Sequence, residues 1–199
     1  MTQTRSYRTT EERRAEIIEA TVQVLAEQGF ASTSFARIRD AAGLSSTRMI
    51  SYHFADKAAL MTALVEHVVQ QAAAVMVPAM EAEPTWAGKL ATYLRTNLRF
   101  LAENRLAARA VIEVIRNVPR ADNDLREDTS ALLLSLLLTQ GQEAGEFRAF
   151  DPLVVARSIR ATIDAFAMTM PSGEAATAAA IDEIAALYHR ATRTEGASS

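Results

Sequence analysis

Ala41-Ala42-Gly43-Leu44-Ser45-Ser46-Thr47-Arg48-Met49-Ile50-Ser51-Tyr52-His53-Phe54 crowds a glycine, three serines, Thr, Arg, Tyr and His into one short stretch of a chain otherwise rich in Ala and Leu. Gly43 follows the apolar-faced segment 35–42, at the point where a helix ending in the left-handed conformation takes Gly. Leu44 can then turn into a core, and Ser45 or Ser46 offers a side-chain oxygen to cap a second helix from Thr47 to His53. The free N–H groups at that helix's start suit a phosphate. A helix, a tight glycine turn and a short polar helix form the unit that enters the major groove of DNA by its second helix. On that helix Thr47, Arg48, Ser51, Tyr52 and His53 are the available donors and acceptors. Met49, Ile50 and Phe54 divide between packing and contact with thymine methyl groups.

Outward from this stretch the apolar spacing is helical throughout. Ile17, Ala20 and Val24 recur on one face, as do Met61, Val65, Val68, Ala72 and Val75, then Leu90, Leu94, Leu98 and Leu101. The five prolines, at 78, 84, 119, 152 and 171, read as punctuation between helices. Asp151-Pro152 is an N-cap followed by Pro at the first helical position, and Pro171-Ser172-Gly173 is a break. No segment sustains strand alternation. The pattern predicts an all-α fold of about nine helices, the first three forming a head. The fourth helix joins that head to a larger helical domain, and the division falls at 1–66 and 67–199, where polar signature residues give way to Ala- and Leu-rich helix.

The same residues resemble the TetR family of bacterial transcriptional regulators over about residues 10 to 66. The likeness rests on Thr33-Ser34-Phe35, Ile38, Ala42-Gly43-Leu44-Ser45, Ile50-Ser51-Tyr52-His53-Phe54, and Lys57 with Leu60, preceded by Phe30 after Glu27-Gln28-Gly29. From Gly43 to His53 the sequence is one residue longer than the commonest family spacing, and Thr47-Arg48 replaces a small residue and Thr. The resemblance implies a homodimer, an effector pocket in the C-terminal domain, and release of double-stranded operator DNA on ligand binding. By position, Thr33 or Ser34 and Lys57 look like phosphate anchors. Tyr52 and His53 look like backbone contacts too. Thr47, Arg48 and Ser51 are the candidates for base readout, Arg48 being the natural partner of a guanine edge. Arg5 and Arg8 lie in an unpatterned arm suited to the minor groove.

Charge agrees mildly with this division of labour. Residues 1–57 carry eight Lys and Arg against seven Asp and Glu, a balance of +1, while the remainder carries 13 against 17, or −4. The longest apolar run is broken at Ser135, far short of the roughly 20 residues of a membrane span. The stretch from Met1 to Arg8 has no apolar core of the length a secretory signal requires, and the sequence has no Cys. The expectation is a cytoplasmic protein with no membrane partner.

The C-terminal domain shows no catalytic constellation. His67 and His189 stand alone, no Glu lies three residues ahead of any His, and no Gly-x-Ser-x-Gly elbow or phosphate-cradling glycine loop occurs. Neither a metal nor a cofactor is implied. Trp86, Tyr93 and Phe100 recur every seven residues on one helix face and mark a candidate effector-pocket wall, with Arg95 and Asn97 placed to orient a polar group. The last two long helices carry apolar stripes, Val155, Ile159, Ile163, Phe166 and Met170 on one and Ile181, Ile184 and Tyr188 on the other. These are the predicted dimer interface, a four-helix seam between two copies. Such a dimer meets half-sites about 34 to 36 Å apart. Two other classes fit the composition: a helical binding or assembly module that never touches DNA, and an enzyme with a helical core.

Overall fold

A computed structural model describes residues 9–118 and 123–194, without the side chains of 123–128; Arg5, Arg8 and Pro119 lie outside the described residues. These residues form α1 (Thr10–Gln28), α2 (Phe35–Ala41), α3 (Arg48–His53), α4 (Lys57–Glu81), α5 (Trp86–Glu103), α6 (Arg105–Asn117), α7 (Asn123–Glu143), α8 (Pro152–Thr169) and α9 (Glu174–Thr192). Among them the extended structure is an isolated bridge between Phe147 and Arg193. The fold is all-α, with an N-terminal helix-turn-helix head and a larger helical C-terminal part.

Local chemistry sets the ends of these helices. Thr9 Oγ1 accepts from the Glu12 N–H at 3.2 Å while Glu12 Oε2 accepts from the Thr9 N–H at 2.8 Å, a reciprocal capping box that starts α1. Asp151 Oδ1 accepts from the N–H groups of Leu153 and Val154, and Pro152 follows as the first residue of α8. Pro78 lies in the last turn of α4, close to the helix end that it was expected to mark. A proline so close to a helix end removes only one late hydrogen bond, and α4 stops three residues beyond it.

The chain separates into two compact units. One comprises the residues up to Val69 together with Arg109–Val118, so most of α6 belongs to the head; the other comprises 70–108 and the residues after 118. In the head, Ile17, Ile18 and Leu25 of α1, Ile38 of α2, Ile50 of α3, and Leu60, Met61 and Leu64 of α4 are all buried. By length and composition α4 is apolar enough to cross a membrane. Much of that apolarity in its first half serves the head, where Leu60, Met61, Ala63, Leu64 and Val68 are buried.

In the second unit Leu90, Leu94 and Leu98 of α5, Leu134 and Leu138 of α7, Ile159, Ile163 and Phe166 of α8, and Ile181 and Tyr188 of α9 form one core. This corrects the predicted dimer interface. Ile159, Ile163, Phe166, Ile181 and Tyr188 are buried within a single chain, and Val155, Met170 and Ile184 pack partly buried against them. The Tyr188 hydroxyl lies 2.7 Å from Thr162 Oγ1 and 3.1 Å from Ser158 Oγ, so its polar end is satisfied inside the protomer as well. The stripe that periodicity picks out is the face each helix turns to its own core.

Candidate nucleic-acid interface

The predicted turn has the geometry its glycine promised. Gly43 sits at φ 61°. The Gly43 N–H donates to Asp40 O at 3.2 Å and the Leu44 N–H to Arg39 O at 2.9 Å, the paired bonds that close a helix through a left-handed glycine. Leu44 is buried behind it. Of the two serines offered as a cap, Ser46 takes the role, its Oγ accepting from the Arg48 N–H at 3.2 Å. Ser45 Oγ instead rests 3.8 Å from Met49 Sδ. Thr47 makes no side-chain cap.

The short helix α3 is held by its apolar side. Ile50 and Phe54 are buried, so they pack and do not reach a groove; Arg14 of α1 stacks its guanidinium 4.9 Å from the Phe54 ring centre. With that side fixed, Arg48, Ser51 and Tyr52 are exposed, Tyr52 by 80%. His53 is half-buried, edge-on to Tyr52 at 5.1 Å between ring centres. Tyr52 takes no part in that packing, so its ring and hydroxyl stand outside the head's core.

The anchors predicted around α3 divide. Thr33 is buried and its Oγ1 donates to Gly29 O at 2.9 Å, so its side chain is committed to the turn after α1 and is no phosphate anchor. Ser34 is exposed and caps α2, its Oγ accepting from the Arg37 N–H at 3.4 Å. Arg37, which the sequence reading passed over, is exposed beside it with its guanidinium on Gln28 Oε1. Lys57 donates one Nζ hydrogen to Phe30 O at 2.8 Å and stands 3.9 Å over the Phe30 ring centre. Burial lowers its pKa from the usual lysine value. Two of its three N–H groups remain for other acceptors.

Four of the five effector-pocket candidates on α5 share a face, and the fifth does not. Tyr93 is buried in the second unit's core and Trp86 packs partly buried against it. Asn97 Nδ2 lies 3.6 Å from Met76 Sδ, and Phe100 is half-buried. Helical spacing puts these four on one face. Arg95 points elsewhere, to Asp182 of α9 at 3.4 Å on the surface. A small cavity lies on another side of α5, lined by Ala87, Leu90, Ala91, Leu94, Phe147, Ala185, His189 and Thr192, none of them among the five candidates. Among the described residues no three His, Asp or Glu side chains converge as a metal cage.

Residues 17–64, which span the turn and the whole of α3, match the family described as bacterial regulatory proteins, tetR family. The head is of the TetR family. No protein of curated function matches the chain. Among solved structures, the TetR-type fold extends over nearly all of it. The fatty acid degradation regulator FadR from Bacillus halodurans is 21% identical, with a TM-score of 0.77 over 90% of this chain and 96% of that one. A TetR family transcription regulator from Marinobacter aquaeolei VT8 is also 21% identical, at 0.72 over 92% and 96%. AibR, solved in complex with isovaleryl coenzyme A and operator DNA, is 18% identical, at 0.74 over 88% and 97%. At these identities the likeness is one of fold.

Proposed function

We propose that the protein is a homodimeric, sequence-specific transcriptional repressor that leaves its operator when a small molecule binds the C-terminal unit. The observation that carries this reading is α3: Arg48, Ser51 and Tyr52 stand exposed on a helix anchored by buried Ile50 and Phe54 at the end of a TetR-type turn. Arg48 reads a guanine edge, while Ser34, Lys57, Tyr52 and His53 set register on phosphates.

Dimerisation uses the faces of α8 and α9 that the core leaves open. Val154, Ser158, Ala161, Ala165 and Met168 share one exposed face of α8, with Val154 62% exposed. On α9, Ala176, Ala179 and Leu187 share an exposed face with Glu183 and Arg190, which form an ion pair at 3.0 Å across it. Small residues flanked by a few large apolar ones let helices from two copies approach closely. The structure of AibR with both a coenzyme A thioester and operator DNA supports a small-molecule effector for a protein of this fold. Such a ligand acts only through unequal affinity for the DNA-bound and free arrangements. Helix α4, continuous from residue 57 in the head unit to 81 in the other, is the lever between them.

The test is a gel shift against the DNA flanking the protein's own gene, at two salt concentrations. A specific shift that weakens steeply as salt rises is expected, because neutralised phosphates release counterions. Absence of any salt-sensitive shift with duplex DNA would refute the reading.

A further inference from the structure

In the turn between α1 and α2 the backbone groups of Gly29 and Phe30 all have partners. Gly29, at φ 75°, gives its N–H to Leu25 O at 3.0 Å, and its carbonyl accepts from Thr33 Oγ1 at 2.9 Å. The Phe30 carbonyl accepts from the Thr33 N–H at 3.2 Å and from Lys57 Nζ at 2.8 Å. The partner of the Phe30 N–H lies 83 positions along the chain: Glu113 Oε2 on α6, at 3.0 Å. The same oxygen sits 3.6 Å from where a Cβ on Gly29 would be, so the carboxylate lies directly over the turn.

Phe30 is therefore gripped from both sides by opposite charges, a carboxylate on its N–H and an ammonium on its C=O, with that ammonium also over its ring at 3.9 Å. Charge-assisted bonds of this kind are about twice as strong as neutral ones, and they fix direction as well as distance. What they fix is the turn leading into Ser34 and the first residue of α4. Both are anchor positions in the reading above, on which this inference rests. We propose that Glu113 is a positioning residue for DNA binding: from the second half of α6, outside the residues that match the family, it holds Phe30 and through it Lys57 in the geometry that meets the phosphate backbone. The role belongs to the side chain alone. Its own backbone carbonyl is separately engaged by Asn117 Nδ2 at 2.8 Å, and a substitution leaves that bond available.

The experiment uses the full chain with Glu113→Ala and Glu113→Gln, the second retaining an acceptor oxygen in nearly the same place. Hydrogen exchange at the Phe30 amide reports the grip itself. Affinity for the shifted DNA fragment, scaled to the active fraction found by stoichiometric titration, reports its consequence without counting unfolded protein. Glu113→Ala should exchange about tenfold faster at Phe30 and bind DNA about three- to tenfold more weakly, and Glu113→Gln should recover most of both. If the wild type binds and Glu113→Ala binds equally tightly, or if Gln fails as Ala does while still folded, the proposal is overturned and the functional reading stands. If the wild type itself shows no salt-sensitive binding, both fall together.

Discussion

Helices α3 and α8 each carry a polar and an apolar face, and the two use those faces differently. On α3 the polar residues picked for DNA include the exposed Arg48, Ser51 and Tyr52, while Ile50 and Phe54 are packed away. On α8 the residues picked for a partner, Ile159, Ile163 and Phe166, are packed away inside the chain, and the open face is Val154, Ala161, Ala165 and Met168. A cluster of hydrogen-bonding side chains on a short helix has little to do in a core, because burying it would cost the loss of its water contacts. An apolar stripe only says that something covers it. In a chain that buries a core of this size, the first thing to cover it is the chain itself.

That contrast can be broken by exchanging the roles of the two faces of α8. Phe166→Ala removes a ring from the second unit's core and should lower folding stability by about 3–5 kcal/mol in thermal or denaturant unfolding, with the dimer dissociation constant of the folded protein little changed. Ala165→Glu puts an unpaired charge on the open face and should weaken the dimer by about 2–5 kcal/mol in sedimentation equilibrium, with the helical content of each chain kept. A Phe166→Ala protein that folds normally but dissociates would return the interface to the buried stripe.

Much of the fold was legible because its signals are local. Gly43 followed by Leu44 specifies a helix end within three residues of chain, and Asp151-Pro152 specifies a helix start within two. The match of α2, the turn and α3 to expectation follows from that. What escaped depends on where a side chain turns or on what returns from a distance. Thr33 and Ser34 are adjacent hydroxyls of similar chemistry, and only the backbone direction after Gly29 sends one inward to a carbonyl and leaves the other at the surface. Arg95 and Asn97 are two apart on one helix and so point to different sides, one to Asp182 and one to Met76. The sequence division at residue 66 had no means of seeing that Arg109–Val118 joins the head unit, since nothing in the spacing of α6 marks Glu113 as the acceptor for a peptide 83 residues earlier.

If α3 reads DNA through the side chains that its packing leaves outside, Arg48→Ala removes the one expected to recognise a base. Because Arg48 is exposed, the variant should unfold like the wild type. In parallel titrations on a specific fragment and on random duplex, it should lose about 1–3 kcal/mol on the specific site and little on the random one. Equal losses on both fragments, or none on either, would mean that Arg48 does not read a base.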